Sequence, residues 1–306
     1  MQGKDLQSKR ELDTILTMST STISHQSNFS ETSDGYRLFE QSWIPPNPRA
    51  SVIILHGYGE HINRYRHVAD HLVNREYAVY AYDQLGHGQS DGRRAYADSF
   101  DIWRDDLAAY IKKVHEQAPE CPLFLLAHSM GGCIAAYLLA TQTAEDQQAL
   151  QGVLFSAPAL APGDGLTPML IKIISILGKL LPKLPTQKAD SGTISRDPAV
   201  VHAYNDDPLV YHGGVPARTA AEMLRGADIA LENAAQIRCP LLIMHGAADR
   251  LISPEGSKQL YALAGSDDKV LKLYDDLYHE ILNEPEQAEV LSDIVAWIEA
   301  RLSLTV

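Results

Sequence analysis

The 306-residue chain has little of what marks several large protein classes. Its cysteines number three, Cys121, Cys133 and Cys239, widely separated and flanked by Pro, Gly or apolar neighbours. That spacing excludes a disulfide framework and a C-x-x-C metal pattern, and it points to a reducing compartment, so the cytoplasm is the expected location. No run approaches the roughly 18 uninterrupted apolar residues of a membrane-spanning helix. Basic residues are scarce as well: 26 Lys and Arg against 39 Asp and Glu leave a formal net charge of −13. Nucleic acid is therefore not an expected partner, because its affinity comes largely from neutralising phosphates with a basic surface. Strongly acidic substrates are disfavoured for the same reason. The N-terminal stretch lacks an apolar segment followed by a small-residue cleavage site, so no signal peptide is read there. Polar and rich in Ser and Thr, residues 1–28 are expected to form a mobile arm.

What is present describes an ordinary globular chain, 45 % hydrophobic and 21 % charged. Its length suits one large domain or two small ones at about 150 residues each. From Ser51 onward, short β-rich runs alternate with stretches of helical period. SVIILHG, YAVYAYD and PLFLLAHS are separated by helical patterns, the second of them over Phe100 to Gln117, and a further helix over Gly132 to Thr143 precedes LQGVLFSAP. Apolar strands in βαβ order predict an α/β fold with a mostly parallel central sheet and helices on both faces. The alternation breaks from Ala159 to about Asp228, then resumes with CPLLIMHG, a helix over Ser253 to Leu263, KVLKLYD and a closing helix over Glu286 to Leu302. The expected organisation is a core of residues 29–157 and 229–306, with residues 158–228 inserted as a helical cap over the carboxyl edge of the sheet, where open α/β sheets bind ligands.

The run PLFLLAHSMGGCIAAYLL sets Ser129 between a strand and a helix, with Ala127 and Gly131 two positions to either side. A nucleophile elbow needs small residues there, because the sharp turn brings strand and helix into contact. The usual pattern has Gly at the first of these positions, so Ala127 is a departure of one methyl. Ser129 is expected to be the nucleophile rather than a simple N-cap. A serine hydroxyl needs a base to take its proton, so an acid and then a histidine must follow in the chain. Asp249 and His279 do so, each just past the carboxyl end of a predicted strand. Asp83 precedes the serine and is expected to brace its loop; Asp275 and Asp276 stand too near His279; Asp164 is the weaker candidate on chain order. His56, His61, His67, His71 and His87 match no zinc spacing and are expected to be bracing or solvated. In HGYGEH the glycines permit a tight turn, so that the Tyr58 amide and the amide of Met130 form an oxyanion hole. A phosphate loop is excluded, because the GK[ST] ending is missing.

With these residues in place, the chain resembles the monoacylglycerol lipase family of α/β-hydrolases. The stretches that carry the resemblance are HGYGEHINRY, YAYDQLGHGQSDG, FLLAHSMGG, LPKL, YNDDPL, HGAADRLI and YHEILNE, in order over roughly Gly35 to the C-terminus. The resemblance implies Ser129, Asp249 and His279 as the catalytic triad and Tyr58 and Met130 as the oxyanion amides. It further implies that Glu60 and Arg64 hold glycerol hydroxyls, joined by Tyr204 of the cap. Convergent polar groups at one end of an apolar pocket suit a small alcohol; Glu60 and Arg64, four apart, equally suit an ion pair that braces the loop. Two positions differ from the family pattern: Tyr58 stands where a small residue is frequent, and Leu282 replaces a second histidine.

The implied activity is hydrolysis of a single fatty-acyl ester to glycerol and fatty acid, with a small-molecule lipid ester as the partner and no cofactor or metal. A lysophospholipase, a broad carboxylesterase and a slow-turnover ligand receptor on the same fold are the alternatives. In the cap, LTPMLIKIISILGKLLPKL from Leu166 to Leu184 is mostly apolar, with Lys172, Lys179 and Lys183 on one helical face. It either lies reversibly in a membrane interface or packs on the body behind a lysine-coated outer face.

Overall fold

The structure, a computed structural model, describes residues 23–303 apart from residues 165 and 189. Among these, eight strands form one sheet: β1 (Ser24–Glu31), β2 (Arg37–Ile44), β3 (Ala50–Leu55), β4 (Tyr77–Tyr82), β5 (Leu123–His128), β6 (Gly152–Ser156), β7 (Leu241–Gly246) and β8 (Lys269–Tyr274), in the order β1-β2-β4-β3-β5-β6-β7-β8. From β4 to β8 every pairing is parallel; β2 joins β4 and β1 joins β2 antiparallel. The buried strands alternate as a two-sided sheet demands. On β5, Leu123, Leu125 and Ala127 join the core on one face and Phe124 and Leu126 that on the other.

The first face is covered by α2 (Phe100–Gln117) and α3 (Met130–Thr141), the second by α1 (Arg66–Val73) and α8 (Gln287–Leu302). The remaining helices are α4 (Pro168–Leu180), α5 (Pro198–Asp206), α6 (Ala217–Glu232) and α7 (Pro254–Leu263). Thr167, Asp197 and Ser253 cap α4, α5 and α7, each accepting from a backbone N–H of the first turn and each followed by Pro at the first helical position. There the missing N–H costs nothing.

The expected arm ends early. Ser24 to Asn28 belong to β1, and residues 1–22 of the expected arm lie outside the described residues. The strand escapes an apolar-pattern reading because almost all of it is solvent-exposed. It is held instead by the ladder to β2, by His25 stacked on Trp43 at 5.1 Å and by Phe29 against Phe39 at 5.4 Å.

Between β6 and β7 stand α4, α5 and α6. α6 runs unbroken across the expected boundary at Asp228 and packs on the body at Gly226, where a Cβ would come within 2.4 Å of the Phe100 ring. α4 rests on α6 at Gly178, where a Cβ would lie 2.9 Å from that of Ala221. The outer stripe of α4 is not lysine-coated alone. Met169, Ile173, Ile176 and Leu180 share it with Lys172 and Lys179, and Met169 and Leu180 are 74 % and 72 % exposed. Only Ile174 and Gly178 of this helix are buried.

Candidate active site

Ser129 occupies the turn between β5 and α3 at φ 51° and ψ −117°, a conformation L-residues rarely adopt and one stored where function requires it. The neighbouring glycines make it possible. A Cβ on Gly131 would lie 2.5 Å from the His56 carbonyl oxygen, and one on Gly132 2.8 Å from Pro158 Cβ. Ala127, the departure from the usual pattern, is fully buried and fits.

The loops after β7 and β8 bring Asp249 and His279 to this turn. Ser129 Oγ donates to His279 Nε2 at 2.9 Å, and His279 Nδ1 donates to Asp249 Oδ2 at 2.7 Å. The other carboxylate oxygen accepts from the amides of Leu251 (2.9 Å) and Ile252 (3.0 Å). Burial alone would push the Asp249 carboxyl up. The positive end of His279 and the hydrogen bonds from His245 and His279 overcome it and hold the group well below the ordinary carboxylate range. For His279, burial favours the neutral ring, and Asp249, with Glu280 and Glu60 behind it, raises the pKa above the usual histidine value.

Tyr58 lies on the loop after β3. This loop packs on the elbow so closely that a Cβ on Gly57 would come within 3.0 Å of Ser129 Cβ. Met130 opens α3, where the first-turn N–H groups have no partner within the helix. Glu60 braces the loop, its Oε1 accepting from Gly57 N and from Tyr65 OH, both at 2.6 Å. Its Oε2 receives Arg64 Nη1 at 2.6 Å, and the same guanidinium donates to both oxygens of Glu280 at 2.7 and 2.6 Å. The Tyr204 ring covers Arg64 at 4.8 Å. Burial disfavours charge on Glu60 and Arg64, yet mutual attraction leaves Glu60 below and Arg64 far above their ordinary pKa values. The i, i+4 pair therefore does brace the loop, and Glu60, Tyr204 and Glu280 also border the cavity in which Ser129 and His279 lie.

That cavity measures about 470 Å³. Its apolar lining comes from Leu160, Ile171, Ile174, Met223 and Leu224. His128, beside the serine, lies with its ring tilted 4.8 Å from that of His279 and is pulled down to about 4 by burial and by that neighbour, so it is neutral at pH 7.

The competing acids stand elsewhere. Asp83 accepts the Ile62 and Gln89 amides at 2.8 Å each, Asp164 faces Arg250 at 3.3 Å in solvent, and Asp275 and Asp276 are exposed. His56 receives the Gln84 amide, His67 meets the Leu282 carbonyl and His61 meets Asp207 of the cap. Three participants escaped the sequence reading. His245 shares Asp249 with His279; Glu280 holds Arg64; and the wholly buried Glu284 accepts from the amide of Tyr278, next to His279, and from Arg196 of the cap. All three lie within HGAADRLI and YHEILNE, which was the available signal.

An eight-stranded α/β sheet with a helical insertion and a Ser–His–Asp line at its carboxyl edge defines a serine hydrolase of the α/β-hydrolase class. Residues 46–286 match the Hydrolase_4 family, described as serine aminopeptidase S33, and the chain belongs to that family. It is 38 % identical over 269 residues to a monoacylglycerol lipase of Mycolicibacterium smegmatis, covering 88 % of this chain and 95 % of the relative. It is 33 % identical over 271 residues to the human monoglyceride lipase, covering 88 % of each. The crystal structure of the Paleococcus ferrophilus monoacylglycerol lipase superposes with a TM-score of 0.77 at 29 % identity, over 86 % of this chain and 99 % of that one.

Replacing Arg64 by Met leaves two buried carboxylates facing each other. The expected loss is about 3–5 kcal/mol, read from urea unfolding, with partial recovery when Glu280→Gln is added. An unchanged urea midpoint would contradict the buried three-residue cluster.

Proposed function

We propose that the chain hydrolyses monoacylglycerols to glycerol and fatty acid through an acyl-serine intermediate at Ser129. The observation that carries this reading is the unbroken Ser129–His279–Asp249 hydrogen-bond line in a cavity lined both by Glu60, Tyr204 and Glu280 and by a set of apolar side chains. His279 Nε2 takes the proton from Ser129 Oγ as the oxygen attacks the ester carbonyl, and Asp249 stabilises the imidazolium that results. The Tyr58 and Met130 amides receive the developing oxyanion, one such donor being worth about 3–4 kcal/mol. His279 then protonates the departing glycerol oxygen, the acyl-enzyme forms, and a water activated by the same ring releases the fatty acid. The acyl chain lies along the apolar lining residues. Glycerol hydroxyls meet Glu60 and Tyr204, with Arg64 acting through the two carboxylates it holds.

The cap supplies the route from lipid. Exposed Met169, Ile173, Ile176, Leu180, Leu181 and Leu184, interspersed with Lys172, Lys179 and Lys183, form the kind of face that enters an anionic membrane interface reversibly. No described helix is long and apolar enough to cross a membrane.

Glycerol release from a monoacylglycerol is the direct assay, run beside the matching lysophospholipid and a short nitrophenyl ester. Ser129→Ala should lower kcat by about 10⁶-fold. The acid limb of kcat/KM should lie above pH ~6.5, because the neutral form of a ring with a raised pKa is required, and Asp249→Asn should move it down. Activity confined to the short ester would discard the glycerol assignment; preference for the lysophospholipid would favour a lysophospholipase. In flotation with phosphatidylglycerol-containing vesicles, the double variant Ile173→Ser, Ile176→Ser should bind at least about tenfold more weakly, from the apolar burial lost. Equal flotation would remove the cap helix from membrane contact.

A further inference from the structure

Asp249 receives a second imidazole. The Nε2 of His245 lies 3.0 Å from Asp249 Oδ2, the oxygen that accepts from His279, and 3.2 Å from the carbonyl oxygen of Ile252. Both of those oxygens only accept, so His245 Nε2 carries the proton. Its Nδ1 is then free to accept from the Ser257 hydroxyl at 2.7 Å, in the first turns of α7. Both His245 and Ser257 are fully buried. The chain thus builds a second Ser–His–Asp line on the far side of the same carboxylate.

We propose that His245 is a positioning residue for Asp249, fixing the rotation of its carboxylate so that Oδ2 points at His279 Nδ1. The inference rests on the triad reading above. Asp249 lies in the loop between β7 and α7, and the two amides on Oδ1 belong to that loop. The grip from the sheet itself comes from His245, next to last in β7. With two N–H groups on each oxygen, all four lone-pair sites of the carboxylate are filled, and rotation would break contacts at both ends. The carboxylate and the Ile252 carbonyl fix the tautomer with the proton on Nε2, and the Ser257 hydroxyl suits it by donating to Nδ1. A histidine that merely filled core space would not need its Nε2–H.

The test compares His245→Leu, His245→Asn and His245→Gln, with Asp249→Asn as reference, by kcat, KM and the pH profile of kcat/KM. Leu removes the donor, and the short Asn amide cannot reach Asp249. Both should lower kcat by at least about tenfold, the scale of a misplacement within an active site. KM should be unchanged, because the imidazolium that Asp249 stabilises forms only after substrate binds. The acid limb should move to lower pH as Asp249 loosens its hold on His279. Gln places an amide nitrogen where Nε2 stood and should restore both kcat and the limb. Asn keeps the test open should Leu fail to fold. Retention of kcat and of the acid limb by Leu and Asn, or a Gln variant no better than Asn, would overturn the proposal. An inactive Asp249→Asn beside wild-type His245 variants would sink this inference alone, and a fully active Asp249→Asn would sink the triad reading with it.

Discussion

The backbone of Ser129, at φ 51° and ψ −117°, is a strain that the rest of the fold is arranged to hold. The turn aims the hydroxyl out of the sheet's carboxyl edge, and it survives because everything beneath it is rigid. β5 is buried throughout and paired on both sides, and α3 closes against the β3 end so tightly that Gly131 admits no side chain. The same close approach presses the Gly57 loop against the serine. One constraint therefore places nucleophile and candidate oxyanion donors together, and the strain costs little against the packing that enforces it.

Charge is handled by saturation. Glu60, Arg64 and Glu280 are almost wholly removed from water, as are Asp249 and Glu284, and each is met by several hydrogen bonds. Buried charge is tolerable only when its partners are complete. Completeness here also connects parts of the molecule. Glu284 links the backbone beside His279 to Arg196 of the cap, and His61 links the Gly57 loop to Asp207 of the cap. A cap coupled in this way both shapes the pocket and carries the exposed apolar face of α4.

Much of this was legible in the chain because it is local. Apolar runs between turn signals mark β3 to β8, and small residues around Ser129 mark the elbow. The helix expected over Ser253 to Leu263 starts within a residue of that reading, at Pro254, since Ser followed by Pro marks its start. What escaped depends on how the chain folds back on itself. β1 has no apolar pattern to read, since its stabilisation comes from Trp43, Phe39 and a ladder. Glu280 is unremarkable until the fold carries it 216 positions back to Arg64. His245 reads as an ordinary strand residue until the loop curls Asp249 onto it. The mixed face of α4 was ambiguous for another reason: periodicity shows which residues share a stripe and not which stripe faces water.

The central claim is that the proton path through His279 and Asp249 serves a covalent step at Ser129. Its most direct measurement is mass spectrometry of the peptide containing Ser129 after reaction with an alkyl fluorophosphonate, in the wild type and in His279→Ala. The account predicts one adduct, on Ser129, formed rapidly in the wild type and very slowly without the histidine. An adduct on another residue, or labelling of Ser129 at the same rate in His279→Ala, would contradict it.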